Sequence, residues 1–162
     1  MKRSAILSIL ALGSLAMGLV VLAAPPAPAP HVLEFKTMFP VSGPYVGTTN
    51  PIRGVSGGGV PWVVTDARGG LRGDGSVDVR VRGLVLASTL SNPIPNFRAV
   101  VSCQSIDGAG APSVVNVSTG DFPASSDGDA TIEETIELPT PCVAPIVFVT
   151  NSTLRWFAVT GQ

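Results

Sequence analysis

The sequence predicts an all-β, single-domain β-sandwich of about eight short strands, loosely immunoglobulin-like, with a small β-barrel as the alternative. Three observations carry that reading. Runs rich in Val, Ile, Thr and aromatic residues recur between clusters of Gly, Pro, Asn and Asp. Beyond the N-terminal segment no window sustains the i, i+3, i+4, i+7 apolar spacing of a helix. The run SVDVRVR alternates without a fault: Val77, Val79 and Val81 take one face, and Asp78, Arg80 and Arg82 the other. The likeness to immunoglobulin domains stays loose because no Trp lies between Cys103 and Cys142.

The chain of 162 residues opens with Lys2 and Arg3, then an uncharged apolar run, Ala5–Leu22, then Val21-Leu22-Ala23. A short positive start, an apolar stretch and small residues at the −3 and −1 positions make residues 1–23 a secretory signal peptide. The alternative is an uncleaved anchor, since the run approaches the ~20 residues that span a bilayer. Removing Lys2 and Arg3 makes the net charge of −1 two units more negative. One lysine, Lys36, remains, so the chain has no basic footprint and nucleic acid is not an expected partner. No apolar run of membrane-spanning length follows the signal. Residues 24–31, APPAPAPH, favour extended polyproline II and form a semi-stiff spacer. The folded domain is read as residues 32–162. The short signal and the Pro/Ala spacer read as bacterial, with a secreted, periplasmic or cell-envelope location.

The strands follow in order. Val32–Phe39 is the first and Val60–Thr65 the second. The run from Ser76 breaks at Gly83, a bulge or bend, before continuing to Leu86. Phe97–Cys103 puts Phe97, Ala99, Val101 and Cys103 on one face. Ser113–Thr119 and Asp129–Leu138 follow, and Ala144–Thr150 and Leu154–Thr160 close the chain. Cys103 and Cys142 are the only cysteines, and an even count in an exported chain reads as a disulfide. Closing a loop of about 40 residues contributes about 4 kcal/mol on chain-entropy grounds. The bridge would tie sheet to sheet or pin a strand edge.

Several motifs invite a chemical reading. Gly54–Gly58, GVSGG, fits the G-x-S-x-G of a nucleophile elbow, with Ser56 as the serine. The elbow requires a helix after the serine and a later histidine. Here two glycines and a proline follow, and the single histidine, His31, comes earlier, in the spacer. Lys36 is the one lysine that could serve as base, and nothing ties it to Ser56. No catalytic residue is therefore assigned. The same glycines lack the lysine and helix of a phosphate loop, and they read as a connection ahead of a strand.

Arg72-Gly73-Asp74 resembles the integrin-recognition tripeptide of adhesion proteins, over three residues only, and it sits where a turn must precede Val77. Asp121, Asp127 and Asp129 are candidate oxygen ligands for calcium, the one cofactor considered, although the spacing is not that of an EF-hand. Tyr45, Trp62 and Trp156 are candidate stacking residues for a carbohydrate, with core packing as the commoner role. Glu133 and Glu137, about 13 Å apart along a strand, are too distant for a glycosidase pair and read as edge charges that discourage aggregation. Glu134 points inward by alternation, as it would at an edge, beside a bulge or opposite an arginine. Asn116-Val117-Ser118 and Asn151-Ser152-Thr153 match the glycosylation acceptor by chance if the host is bacterial. The expectation is an exported, non-catalytic binding or structural module with a protein or glycan partner. The alternatives are a carbohydrate- or calcium-binding module and a carboxylate-based hydrolase.

Overall fold

The structure, a computed structural model, describes residues 27–161; the signal segment, residues 24–26 of the spacer and Gln162 lie outside the described residues. β1 (His31–Phe35) and β2 (Met38–Pro40) come first, and a short 3-10 turn (Gly43–Tyr45) opens a long loop. The loop leads into β3 (Trp62–Val63), β4 (Asp66–Arg72), β5 (Ser76–Arg82) and β6 (Val85–Leu86). β7 (Asn96–Ile106), β8 (Pro112–Ser118) and β9 (Phe122–Pro123) follow. β10 (Ala130–Thr135), β11 (Val143–Thr150) and β12 (Trp156–Thr160) complete the described chain.

These strands form two main antiparallel sheets. Sheet A has the order β1-β4-β5-β10, and sheet B has the order β2-β12-β11-β7-β8, with β9 added to the start of β7. β3 and β6 make a separate two-stranded ribbon. Neither main sheet closes on itself, so the architecture is the sandwich and not the barrel. The alternating run of β5 buries Val77, Val79 and Val81, each 2% exposed or less. On β7 the predicted inward set of Phe97, Ala99, Val101 and Cys103 is fully buried. Trp62 closes the core from the ribbon, stacked on Phe157 with ring centroids 4.1 Å apart.

Several strand assignments change, among them the split of the Ser76–Leu86 run between β5 and β6 and the unpredicted β9. Val32–Phe39 is two strands in different sheets. Phe35 and Met38 are both buried while Phe39 is 59% exposed, so the alternation slips by one residue at Lys36-Thr37 and the chain steps across the sandwich. Val60–Thr65 shrinks to the two residues of β3. β4 was not predicted, because Gly69 and Gly70 disguise it. A Cβ at Gly69 would lie 2.0 Å from the Asp78 carbonyl oxygen and 2.8 Å from the Phe35 ring, so only glycine fits against these neighbours. The bend expected at Gly83 is present: its φ is +62°, and its N–H donates to Asp129 Oδ1 at 2.9 Å.

Candidate functional site

Alternation along β7 divides sheet B into a core face and an outer face. Arg98, Val100, Ser102, Gln104 and Ile106 point outward. One end of that outer face is roofed. Val100, Phe148 and Trp156 are each 2% exposed or less. The loop between β2 and β3 makes the roof: Tyr45 lies 6.3 Å from the Trp156 ring, Gly58 N–H donates to the Trp156 carbonyl at 2.8 Å, and Trp156 N–H donates to the Ser56 carbonyl at 3.0 Å.

Arg53 fixes the roof to the sheet. Ile52 and Val55 exchange backbone hydrogen bonds of 3.0 and 2.9 Å across Arg53-Gly54, whose φ values of +48° and +80° are those of a type I′ turn. Arginine is uncommon at positive φ. Its guanidinium accounts for the choice. Nη1 donates to the carbonyls of Ser102 and Ala144, both at 2.9 Å. The β7–β11 register shifts between Val143 and Ile146, so this contact lies across the irregular stretch of the ladder. Asn116 on β8 completes the join, donating to the Arg53 carbonyl at 3.0 Å.

Beyond Arg53 the outer face is bare. Val114 and Val143 both pair with Gln104, and Pro112 pairs with Ile106, so all five share the outer face. Ile106, Val114 and Val143 are 52%, 49% and 54% exposed. With Pro112, Pro141 and Gln104 they line a groove of about 530 Å³ that carries no charged side chain. Mostly apolar surface with a few polar groups is the usual make-up of a contact site. The floor beside the groove is held by the Cys103–Cys142 disulfide, with Cα atoms 4.9 Å apart. The bridge joins neighbours within sheet B, β7 and the residue before β11, and does not tie sheet to sheet.

The residues singled out by sequence lie elsewhere. Ser56 is half-buried in the roof, with no helix after it. His31 and Lys36 belong to β1 and its end, on sheet A. Trp62 and Trp156 are 3% and 2% exposed and pack in the interior; of the stacking trio only Tyr45, at 45%, faces solvent, so the three form no platform. Asp121 is held by Arg98 through Nε and, at 3.0 Å, Nη2. That hydrogen bond holds the Asp121 carboxyl below its ordinary pKa and raises Arg98 above its own. Asp127 is exposed in a tight turn, and Asp129 Oδ1 is taken by Gly83. Among the described residues no group of three or more His, Cys, Asp or Glu side chains could hold a metal ion.

β10 is an edge strand, as its glutamates predicted. Glu133 meets Arg80 at 3.4 Å, while Glu134 accepts the Gly120 N–H at 2.8 Å, so the edge accounts for its inward register and it pairs with a backbone amide and not an arginine. Arg72-Gly73-Asp74 forms the β4–β5 turn. Arg72 Nη1 donates to the Ala29 carbonyl at 3.0 Å, which anchors the end of the spacer. Asp74 accepts the Ser76 N–H at 2.9 Å, which lowers its pKa.

Sequence reasoning passed over Arg53, Ile106 and Val143. The signal that was available is the absence of charge from SVVNVS on β8. No protein family, curated protein or solved structure matches this chain in the comparisons made.

Proposed function

We propose that the chain is a non-catalytic binding or structural module that works outside the cytoplasm, in the cell envelope or the medium. Its contact surface is the bare half of the outer face of sheet B. The observation that supports this best is the uncharged groove of about 530 Å³, where Ile106, Val114 and Val143 stay half exposed although the other end of the same face is roofed. The disulfide is compatible with an oxidising location, and no helix among the described residues is long and apolar enough to cross a membrane.

Site-specific photo-crosslinking in cells tests the reading. A photoreactive residue at Ile106 or Val143 is expected to give discrete adducts. The same probe at Val32, which is 50% exposed on sheet A, is expected to give none. Equal labelling at both places, or none at either, overturns the surface assignment. Export is checked by sequencing the N-terminus of the protein recovered outside the cytoplasm, expected at Ala24; a protein retained in the cytoplasm with free thiols overturns it.

A further inference from the structure

The two main sheets have four edges, and three of them are blunted. β1 carries Glu34 and is followed at once by Lys36. β10 carries Glu133 and Glu134 side by side. β2 is three residues long and ends in Pro40. Charge, shortness and proline are the ordinary devices that stop an edge from recruiting another strand. β8 has none of the charge. It runs seven residues, PSVVNVS, and its one proline stands at the first position, where a missing N–H interrupts least. The nearest acids are turned away. Asp107 Oδ1 accepts the N–H groups of Ala109 and Ala111 within its own turn, both at 2.9 Å, and Asp121 is held by Arg98.

β8 is also incompletely covered on both faces. Val114 points outward and is 49% exposed. Ser113, Val115 and Val117 point inward and are only half-buried, unlike the fully buried residues of β7 beside them. A strand with high β-propensity, no charge and half-covered side chains on both faces is unfinished as an edge.

We infer that β8 is a self-association edge, and that its partner is the β8 strand of a second copy of this chain, paired antiparallel about a two-fold axis beside Val115. The inference rests on the contact surface proposed above and names its occupant. A two-fold interface must be complementary to itself, and an uncharged strand meets that condition where β1 and β10 would set like charges against each other. Pairing centred on Val115 uses the whole strand. Inward, Val115 meets its own counterpart and Ser113 meets Val117. Outward, Val114 of one copy lies opposite Asn116 of the other. The two grooves then adjoin across the axis as one uncharged apolar surface.

Sedimentation equilibrium of the full chain, purified with its disulfide intact, tests this. The wild type is expected to dimerise. Val114→Lys is a substitution at a half-exposed side chain that the fold tolerates, and it sets two cations diagonally across the axis. It is expected to weaken dimerisation about tenfold or more. Mixing Val114→Lys with Val114→Glu is expected to restore association as a heterodimer, and Glu133→Gln on the opposite sheet to leave it unchanged. A wild type that stays monomeric at high micromolar concentration overturns the inference. So does a dimer that Val114→Lys and Val114→Pro, which removes an N–H facing the free edge, leave equally tight. A monomer that still gives Ile106 adducts to a different protein overturns self-pairing alone and leaves the contact surface standing.

Discussion

At Gly57 a methyl group would sit 2.0 Å from the Tyr45 carbonyl oxygen and 2.8 Å from Val41 Cγ2. At Gly58 it would crowd the Phe157 ring at 3.1 Å. Neither residue has a positive φ, so these glycines serve close packing and not conformational freedom. Gly57→Ala is expected to cost about 1–3 kcal/mol in denaturant unfolding. Gly59→Ala, with open space around it, is expected to stay within about 0.5 kcal/mol. The Arg98–Asp121 pair makes a pH-dependent contribution. Its hydrogen bond depresses the folded-state pKa of Asp121, so the stabilisation is present above the ordinary Asp range and is lost as pH falls through the folded value. Asp121→Asn is therefore expected to lower the melting temperature at pH 7 and to match the wild type at a pH low enough to protonate Asp121 in the folded protein. A difference that persists undiminished at low pH would exclude the ion pair as its cause.

At the level of elements, the two-residue turn at Arg53-Gly54 joins the roof to β7 and to the irregular start of β11. Arg53→Ala keeps the positive φ and removes both carbonyl contacts, and the expected loss is about 1.5–3 kcal/mol. Arg53→Gly removes the same contacts but relieves the backbone, so it is expected to cost less than Arg53→Ala. Equal losses would mean that the backbone conformation carries no cost. Replacing Cys103 and Cys142 together by Ala is expected to cost about 4 kcal/mol, read by denaturant midpoint. What was legible in the sequence follows from the same elements. β5 and β7 were readable because alternate side chains face inward and enforce a period, and β12 because a short apolar run, buried at every position, stands between turn residues. β4 was not, because its glycines answer to close approaches that no local pattern shows: the Phe35 ring from another strand and the Asp78 carbonyl across the hairpin. The β1–β2 step was hidden because a one-residue slip looks like continued strand. The roof was opaque for a similar reason: Arg53 has meaning only beside the irregular stretch of β11, 91 positions away. Trp62 and Trp156 kept two readings until their burial was known, since an indole suits a core and a sugar site equally well. The edge character of β10 was visible because its charges are local.

For the whole molecule, the position of the disulfide matters more than its contribution to stability. Cys103 and Cys142 bracket β8, β9 and β10, so the bridge encloses the unblunted edge, two sheet crossovers and the charged edge of sheet A in a single covalent ring. This gives the module an unequal response to mechanical load. The spacer enters beside β1 in sheet A and the chain leaves after β12 in sheet B, so tension applied to the ends runs through both sheets. Force reaching the ring passes across the sulfur atoms and not around the peptide. With 39 positions between the bridged residues and ~3.5 Å of extended chain for each, about 130 Å of contour length is withheld from any pull on the termini. Single-molecule stretching is expected to give an extension longer by about that amount after reduction than before it. In the oxidised protein the β8 strand thus belongs to a segment that pulling on the ends cannot draw out straight, so an anchored copy under shear would keep that strand within its covalent ring while the chain outside it gave way.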